Sequence, residues 1–256
     1  MTFGQQGFDW GAAPAQAHPE ALVGARVAFL KRVYGLFAAS IVFSALGAMF
    51  ALYAGIGASR LVIETGAGPV VVPPLVAFFA QHWVVSLVLM LGVVFGASAV
   101  RHRPGINVVA LFGMAAVMGV VIAPALFVAQ LSAGLGGTIS SSPIRDAFIL
   151  AAAAFIGLSG YALVTQKDFS FMRGALVMGL LVVIAASVLN IFIGSSIFGL
   201  AVASACVLLF GAYVLYDTSR LLRAGEKDAV GCAIALYLDF LNLFLALLRI
   251  LGSRRS

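Results

Sequence analysis

Residues 174–216 read GALVMGLLVVIAASVLNIFIGSSIFGLAVASACVLLFGAYVLY and contain no charged residue. The stretch divides at Gly194-Ser195-Ser196 into two apolar runs. Each run is close to the roughly 20 residues that an α-helix needs to cross a bilayer. Because the connection is so short, the two helices should be antiparallel neighbours. The stretch therefore predicts a pair of membrane-spanning helices.

Five further runs of similar length and composition flank this pair. Short polar segments separate them, such as Arg101-His102-Arg103-Pro104-Gly105, whose proline and glycine disfavour a continuous helix. No stretch shows the alternation of apolar and polar residues that is typical of a strand. We therefore expect an all-α polytopic membrane protein, a bundle of seven transmembrane helices. The seven runs are Val33–Tyr53, Trp83–Val100, Ile106–Ala129, Ala147–Thr165, Gly174–Ile193, Ile197–Tyr216 and Ala229–Ile250.

The composition agrees with a chain embedded in lipid. Of its 256 residues, 63% are hydrophobic and 9% are charged, whereas soluble domains have about 25% charged residues. The net charge of +6 comes from small basic groups between apolar runs. That distribution argues against a nucleic acid partner, which would need a basic stripe. Two cysteines are too few for a disulfide framework or a zinc site.

The distribution of Lys and Arg predicts the orientation. Residues 1–25 are expected to form a flexible cytoplasmic tail, and residues 26–256 the transmembrane domain. Lys and Arg concentrate before the first run and after the second, fourth and sixth runs, which places those segments in the cytoplasm. The C terminus is then external, with Arg249, Arg254 and Arg255. Either these arginines reach that interface, or the seventh segment re-enters without crossing; we favour crossing.

The long connection Gly55–His82 between the first two runs has no assigned role. Its apolar piece Val70–Ala80 is interrupted by Pro73-Pro74. We expect this piece to lie at the interface before the second helix or to extend that helix.

Two acidic residues lie within apolar runs, where a charge is costly and usually functional. Asp217 ends the sixth run, and Asp239 lies in the middle of the seventh. Counted from Arg223 and Ala229, they lie about 9 Å and about 15 Å below the same surface, at ~1.5 Å per residue. Helix tilt and side-chain reach can close that offset. We therefore expect a facing pair of carboxyl groups that share one proton.

Each acid also has a purely structural interpretation. Asp217 could be an interfacial acid paired with Arg220, and Asp239 a protonated carboxyl group bonded to a neighbouring backbone. Asn242 makes the face of the helix around Asp239 polar, so this face should look into the bundle. Asn190, in the fifth run, is expected to cross-link helices.

Two carboxyl groups in a membrane are compatible with three classes of function. The first is an ion pathway gated by the two acids. The second is an intramembrane aspartyl protease, which Tyr216-Asp217 matches, but Asp239 lacks the Gly-x-Gly that precedes the second acid of those proteases. The third is a non-enzymatic regulatory partner of other membrane proteins. We expect no enzymatic activity.

The last two runs carry a more specific resemblance. Tyr213-Val-Leu-Tyr216-Asp217-Thr218 and Leu236-Tyr237-Leu238-Asp239-Phe240-Leu241-Asn242, followed by Leu248-Arg249-Ile250-Leu251, resemble the carboxyl-terminal signature of the transmembrane Bax inhibitor motif family. The segment Phe29–Leu36 is similar to the entry of that family's first helix.

The resemblance implies a bundle with the seventh helix at its centre and a pH-sensitive calcium leak. It implies that Asp217 and Asp239 are the paired aspartates of the pH sensor, with Tyr213 as a supporting polar residue. In bacterial members an arginine at the cytoplasmic end of the second helix pairs with the first aspartate. That position implies Arg101 as a latch, with Arg103 as the alternative.

The resemblance also implies partners and location. Calcium would be the conducted ion, held only transiently by Asp217 and Asp239, and no resident cofactor is implied. The bacterial inner membrane is the implied location. Other membrane proteins, such as membrane proteases or regulators of cell death, are the implied partners.

Overall fold

The computed structural model describes residues 19–59, 61–65, 68–134, 142–223 and 228–253. Short 3₁₀ turns lie at Ile56–Ala58 and Ser170–Met172. The described residues form these elements: α1 (Pro19–Tyr53), β1 (Val62–Thr65), β2 (Gly68–Val71), α2 (Pro74–Gln81), α3 (Trp83–Val100), α4 (Ile106–Gly134), α5 (Pro143–Thr165), α6 (Arg173–Ile193), α7 (Ser196–Arg223) and α8 (Ala229–Ser253).

Seven of these helices, all except α2, are long and apolar enough to cross a bilayer. The prediction of an all-α bundle of seven transmembrane helices is thereby confirmed. Large apolar side chains remain exposed on the outside of the bundle, including Phe192 at 82% and Val164 at 83%. Lipid is the solvent that accepts such a surface.

All of the seven long helices except α3 extend beyond the apolar runs that predict them. α4 continues to Gly134 and α7 to Arg223. α1 begins at Pro19, so residues 19–25, predicted as part of a tail, are helical. Residues 1–18 lie outside the described residues. Polar residues can continue a helix beyond its apolar span, and hydropathy does not detect that continuation.

α8 lies at the centre of the bundle, as predicted. It packs against α1, α4, α5 and α7, and 67% of its span is buried, the largest fraction among the seven spans. A helix surrounded by other helices needs apolar residues on all sides. The sequence of α8 meets this requirement with leucine, phenylalanine and alanine, and Asp239 is an exception.

α1 and α4 make a close backbone contact at two glycines. A Cβ atom added at Gly47 would overlap the carbonyl oxygen of Ala116, and one added at Gly119 would overlap that of Ser44. Small residues allow membrane helices to approach this closely. Nearby, the rings of Phe43 and Phe112 stack with centroids 4.6 Å apart.

The connection between α1 and α3 is more ordered than its sequence suggests. β1 and β2 form an antiparallel hairpin in which Val62 pairs with Val71 and Ile63 with Val70. The expectation that the chain has no strands is therefore wrong. The apolar piece Val70–Ala80, predicted as a lead-in or extension of the second helix, divides between the end of β2 and α2, a separate helix. Its Val76 is buried in a small cluster with Ala51 of α1.

Candidate functional site

Asp217 of α7 and Asp239 of α8 meet inside the bundle. Their carboxyl groups lie within hydrogen-bonding reach of each other. Asp239 is 5% exposed, and the side chain of Asp217 is 13% exposed. Two carboxyl groups form a hydrogen bond only when one of them carries a proton. We call this pair the aspartate dyad.

The two acids of the dyad differ in the polar partners of their carboxyl oxygens. Oδ1 of Asp217 lies 3.8 Å from Nη1 of Arg220, one turn further along α7. Oδ2 of Asp239, in contrast, is buried without a hydrogen-bond partner. A buried polar atom without a partner is costly. Tyr213 of α7 lies close enough to interact electrostatically with both acids, so it belongs to the site.

Hydrogen bonds anchor the backbone on both sides of the dyad. Thr218, next to Asp217, is fully buried, and its hydroxyl lies 3.1 Å from that of Ser159 in α5. Tyr237, two residues before Asp239, donates from its hydroxyl to Oγ of Ser44 in α1 at 3.1 Å. These bonds fix α7 against α5 and α8 against α1. Sequence reasoning did not select Thr218, Tyr237 or their partners, because long-range pairing leaves no local signal.

Aromatic rings pack against α8 one residue beyond Asp239. The ring of Phe240 makes edge contacts with Phe37, Phe148 and Phe155, at centroid distances of 5.8, 5.7 and 5.9 Å. An apolar cavity of about 150 Å³ lies beside them and is bordered by Tyr237. The surroundings of Phe240 are therefore apolar.

Arg101, the predicted latch, is joined to a different aspartate. Its Nε lies 3.2 Å from Oδ2 of Asp228 and donates to Nε2 of His102 at 3.1 Å. The Arg101–Asp217 pair implied by the resemblance is therefore not the pair that this structure forms. Arg101 forms this pair because both partners lie at the end of the bundle. Arg101 caps the end of α3, and Asp228 directly precedes α8. The ion pairs among the described residues also do not include Arg103.

The remaining predicted polar residues make hydrogen bonds outside the dyad. Asn242 donates to the carbonyl oxygen of Leu238 in its own helix at 2.8 Å. With its amide oriented to match its neighbours, Asn190 donates to the carbonyl oxygen of Ser195 and accepts from Nη2 of Arg249 at 3.2 Å. Asn190 thus cross-links α6 and α8, the role expected of such residues. The guanidinium group of Arg249 occupies the space next to Gly199 in which a larger side chain would lie.

The fold and the buried dyad define a multi-pass helical membrane protein with an ionisable centre. The family model described as "Inhibitor of apoptosis-promoting Bax1" matches residues 26–256. The chain belongs to this Bax inhibitor family, as the resemblance of its last two helices indicated.

Relatives in bacteria and in mouse support this assignment. A Campylobacter jejuni protein is 38% identical over 231 residues, which cover 89% of each chain. The Escherichia coli "Modulator of FtsH protease YccA" is 31% identical over 169 residues, 66% of this chain and 74% of the relative. Mouse "Protein lifeguard 4" is 30% identical over 245 residues, 95% of this chain and 91% of the relative. The family names describe modulators and inhibitors rather than enzymes.

Proposed function

We propose that this protein is a pH-sensitive leak pathway for calcium ions and that the aspartate dyad is its gate. One observation carries the proposal: two carboxyl groups contact each other among apolar helices, and one buried oxygen, Oδ2 of Asp239, has no partner. Ionisable groups inside a membrane are costly and mark ion or proton pathways. A purely structural role would favour a fully satisfied pair.

The gate responds to the number of protons on the dyad. With one proton, the pair carries one negative charge, which strengthens its hydrogen bond and attracts Arg220. A second proton, added as the pH falls, removes that charge. The hydrogen bond between α7 and α8 then weakens, and Arg220 loses its partner. Water enters between the two helices, so the leak increases with acidification.

Calcium is the proposed cargo rather than a resident ion. The dyad offers at most four carboxylate oxygens, whereas Ca²⁺ takes 6–8 oxygen ligands. Among the residues that the structure describes, no group of three or more His, Cys, Asp or Glu side chains is placed to hold a metal ion. Weak, incomplete coordination allows an ion to leave as readily as it enters, which suits a leak. The proposed mechanism requires no cofactor.

Calcium flux in liposomes tests the proposal. The wild-type protein and Asp217→Asn are reconstituted with a calcium-sensitive dye inside, and flux is measured at about pH 5.5 and about pH 8. We expect the wild-type leak to be larger at the acidic pH and the variant to lose most of that difference. Asp146→Asn is the matched control, because Asp146 pairs with the exposed Arg145 far from the dyad. Wild-type flux equal to that of empty liposomes at both pH values would refute the proposal.

We further propose that the protein lies in the bacterial inner membrane, with its N terminus in the cytoplasm. The distribution of Lys and Arg supports this orientation. A second Escherichia coli relative, which is named an inner membrane protein, supports the location. Labelling of single cysteines introduced at Ser142 and Ser170 tests the orientation, since α5 lies between these two residues. Only the Ser142 cysteine should react with an impermeant reagent in intact cells.

A second candidate function is the regulation of a membrane protease without enzymatic activity. The observation that favours it is the Escherichia coli relative named a modulator of the protease FtsH. Co-purification of the chain with the host's membrane-anchored protease, and slower degradation of a membrane substrate, would support this function. If the protein does both, Asp217→Asn should abolish pH-dependent flux and leave the slower degradation unchanged.

A further inference from the structure

A polar cavity of about 370 Å³ lies at the end of the bundle where α3 ends and where α4 and α8 begin. Arg32 of α1, Arg101 and His102 of the turn after α3, and Asp228 line it. Cavities of this size hold small ligands. It lies on the side that the distribution of Lys and Arg predicts to be cytoplasmic. We call it the basic cavity.

The charges in the basic cavity do not balance. Both oxygens of Asp228 are engaged: Oδ1 accepts from the backbone N–H of Gly231 at 2.8 Å, and Oδ2 lies 3.2 Å from Nε of Arg101. Asp228 therefore neutralises Arg101 alone. The ion pairs of the described residues do not include Arg32. Among the described residues that line the cavity, one positive charge therefore remains in excess.

The cavity also offers donors that suit an anion. Arg101 uses only its Nε toward Asp228 and His102, so its two terminal amino groups remain available in the described structure. A guanidinium presents such groups in a fork that matches phosphate oxygens. The first turns of two long helices, at Asn107 of α4 and Val230 of α8, line the same space. Helix N-termini add partial positive charge.

We propose that the basic cavity binds a phosphate group through Arg32 and Arg101. The group belongs either to the headgroup of an anionic phospholipid or to a soluble phosphate compound. Binding would join α1 to the turn after α3. A phosphate would also compete with Asp228 for Arg101, which connects the occupant to the start of α8. The proposal does not depend on calcium conduction.

Binding to the full-length purified protein tests the proposal in two arms. In the first arm, native mass spectrometry measures the retention of phosphatidylglycerol against phosphatidylcholine in detergent micelles. In the second arm, titration calorimetry measures the binding of inorganic pyrophosphate. Arg32→Gln/Arg101→Gln should weaken binding by about tenfold or more, because two charge-assisted hydrogen bonds are lost. Phosphatidylglycerol bound without pyrophosphate identifies a lipid site, and the reverse identifies a soluble ligand.

Two further variants distinguish an effect on the binding site from an effect on folding or on the overall charge. Lys31→Gln/Arg173→Gln removes the same charge from exposed residues outside the cavity and should leave binding unchanged. Asp228→Asn should tighten binding, since asparagine still caps α8 but no longer competes as an anion. A gain of this kind cannot come from misfolding. Equal weakening in the control variant, or no binding in both arms, would overturn the proposal.

Discussion

Tyr237 of α8 donates a hydrogen bond from its hydroxyl to Oγ of Ser44 in α1, 3.1 Å away and deep in the bundle. The same hydroxyl lies 3.5 Å from the carbonyl oxygen of Ala115 in α4. Tyr237 is 1% exposed. One side chain thus fixes the helix that carries Asp239 against two neighbouring helices.

Tyr237→Phe should therefore destabilise the protein. A buried hydrogen bond of this kind contributes about 1 kcal/mol, which corresponds to a fall of about 2–4 °C in Tm for a chain of this size. Thermal unfolding in detergent measures the change. Tyr161→Phe is the control, because Tyr161 is 48% exposed. Equal shifts in both variants would mean that the Tyr237 hydroxyl does not stabilise the bundle.

Asp217 and Asp239 should titrate as one unit. A shared proton makes the ionisation of each acid depend on the other, so Asp217→Asn, Asp239→Asn and the double variant should show three similarly flattened leak profiles. The wild-type leak should rise as the pH falls, because the second proton neutralises the dyad. Calcium flux from about pH 5 to about pH 8 measures the profiles. Additive effects, with each single variant keeping about half of the response, would show two independent acids.

Arg220 and Arg101 should have different effects on the leak. Arg220 is the cation beside Asp217, so Arg220→Gln should flatten the pH profile. Arg101 pairs with Asp228 at the surface, so Arg101→Gln should preserve the profile and change the overall leak by less than about fivefold, as expected for an exposed pair of up to 1 kcal/mol. Liposome flux measures both. If only Arg101→Gln flattens the profile, the latch implied by the family resemblance acts in another conformation.

Gly119→Ala should strongly destabilise the bundle. The added Cβ would overlap the backbone of Ser44 in α1, and neither backbone can move without separating the helices. Overpacking of this kind costs about 1–3 kcal/mol or more. Gly113→Ala, in the same helix, meets no atom within 4 Å and serves as the control. The measurement is the fraction of protein that remains monodisperse and folded after heating in detergent.

Hydropathy alone predicts most of this fold. Runs of apolar residues identify the seven long helices, and the depth of Asp217 and Asp239 along their helices predicts their meeting. The hairpin from Val62 to Val71 could not be predicted, because two four-residue strands are too short to show alternation against an apolar background.

The partners of individual side chains are harder to predict than helices. Asp228 lies outside the apolar runs, so its sequence position alone resembles a solvated loop residue. Its pairing with Arg101 arises because α3 ends and α8 begins at the same surface of the bundle. The bond between Ser159 and Thr218 likewise joins residues 59 positions apart. Such contacts follow from helix packing, which periodicity does not encode.

The contact of α1 and α4 through Gly47 and Gly119 has a mechanical consequence. Most helix pairs touch through side chains, which change rotamer and allow small sliding motions. Here backbone meets backbone, so a shift along the axis would drive a carbonyl oxygen into the facing chain. α1 and α4 should therefore move as a single rigid body, and the opening proposed between α7 and α8 must leave that body intact.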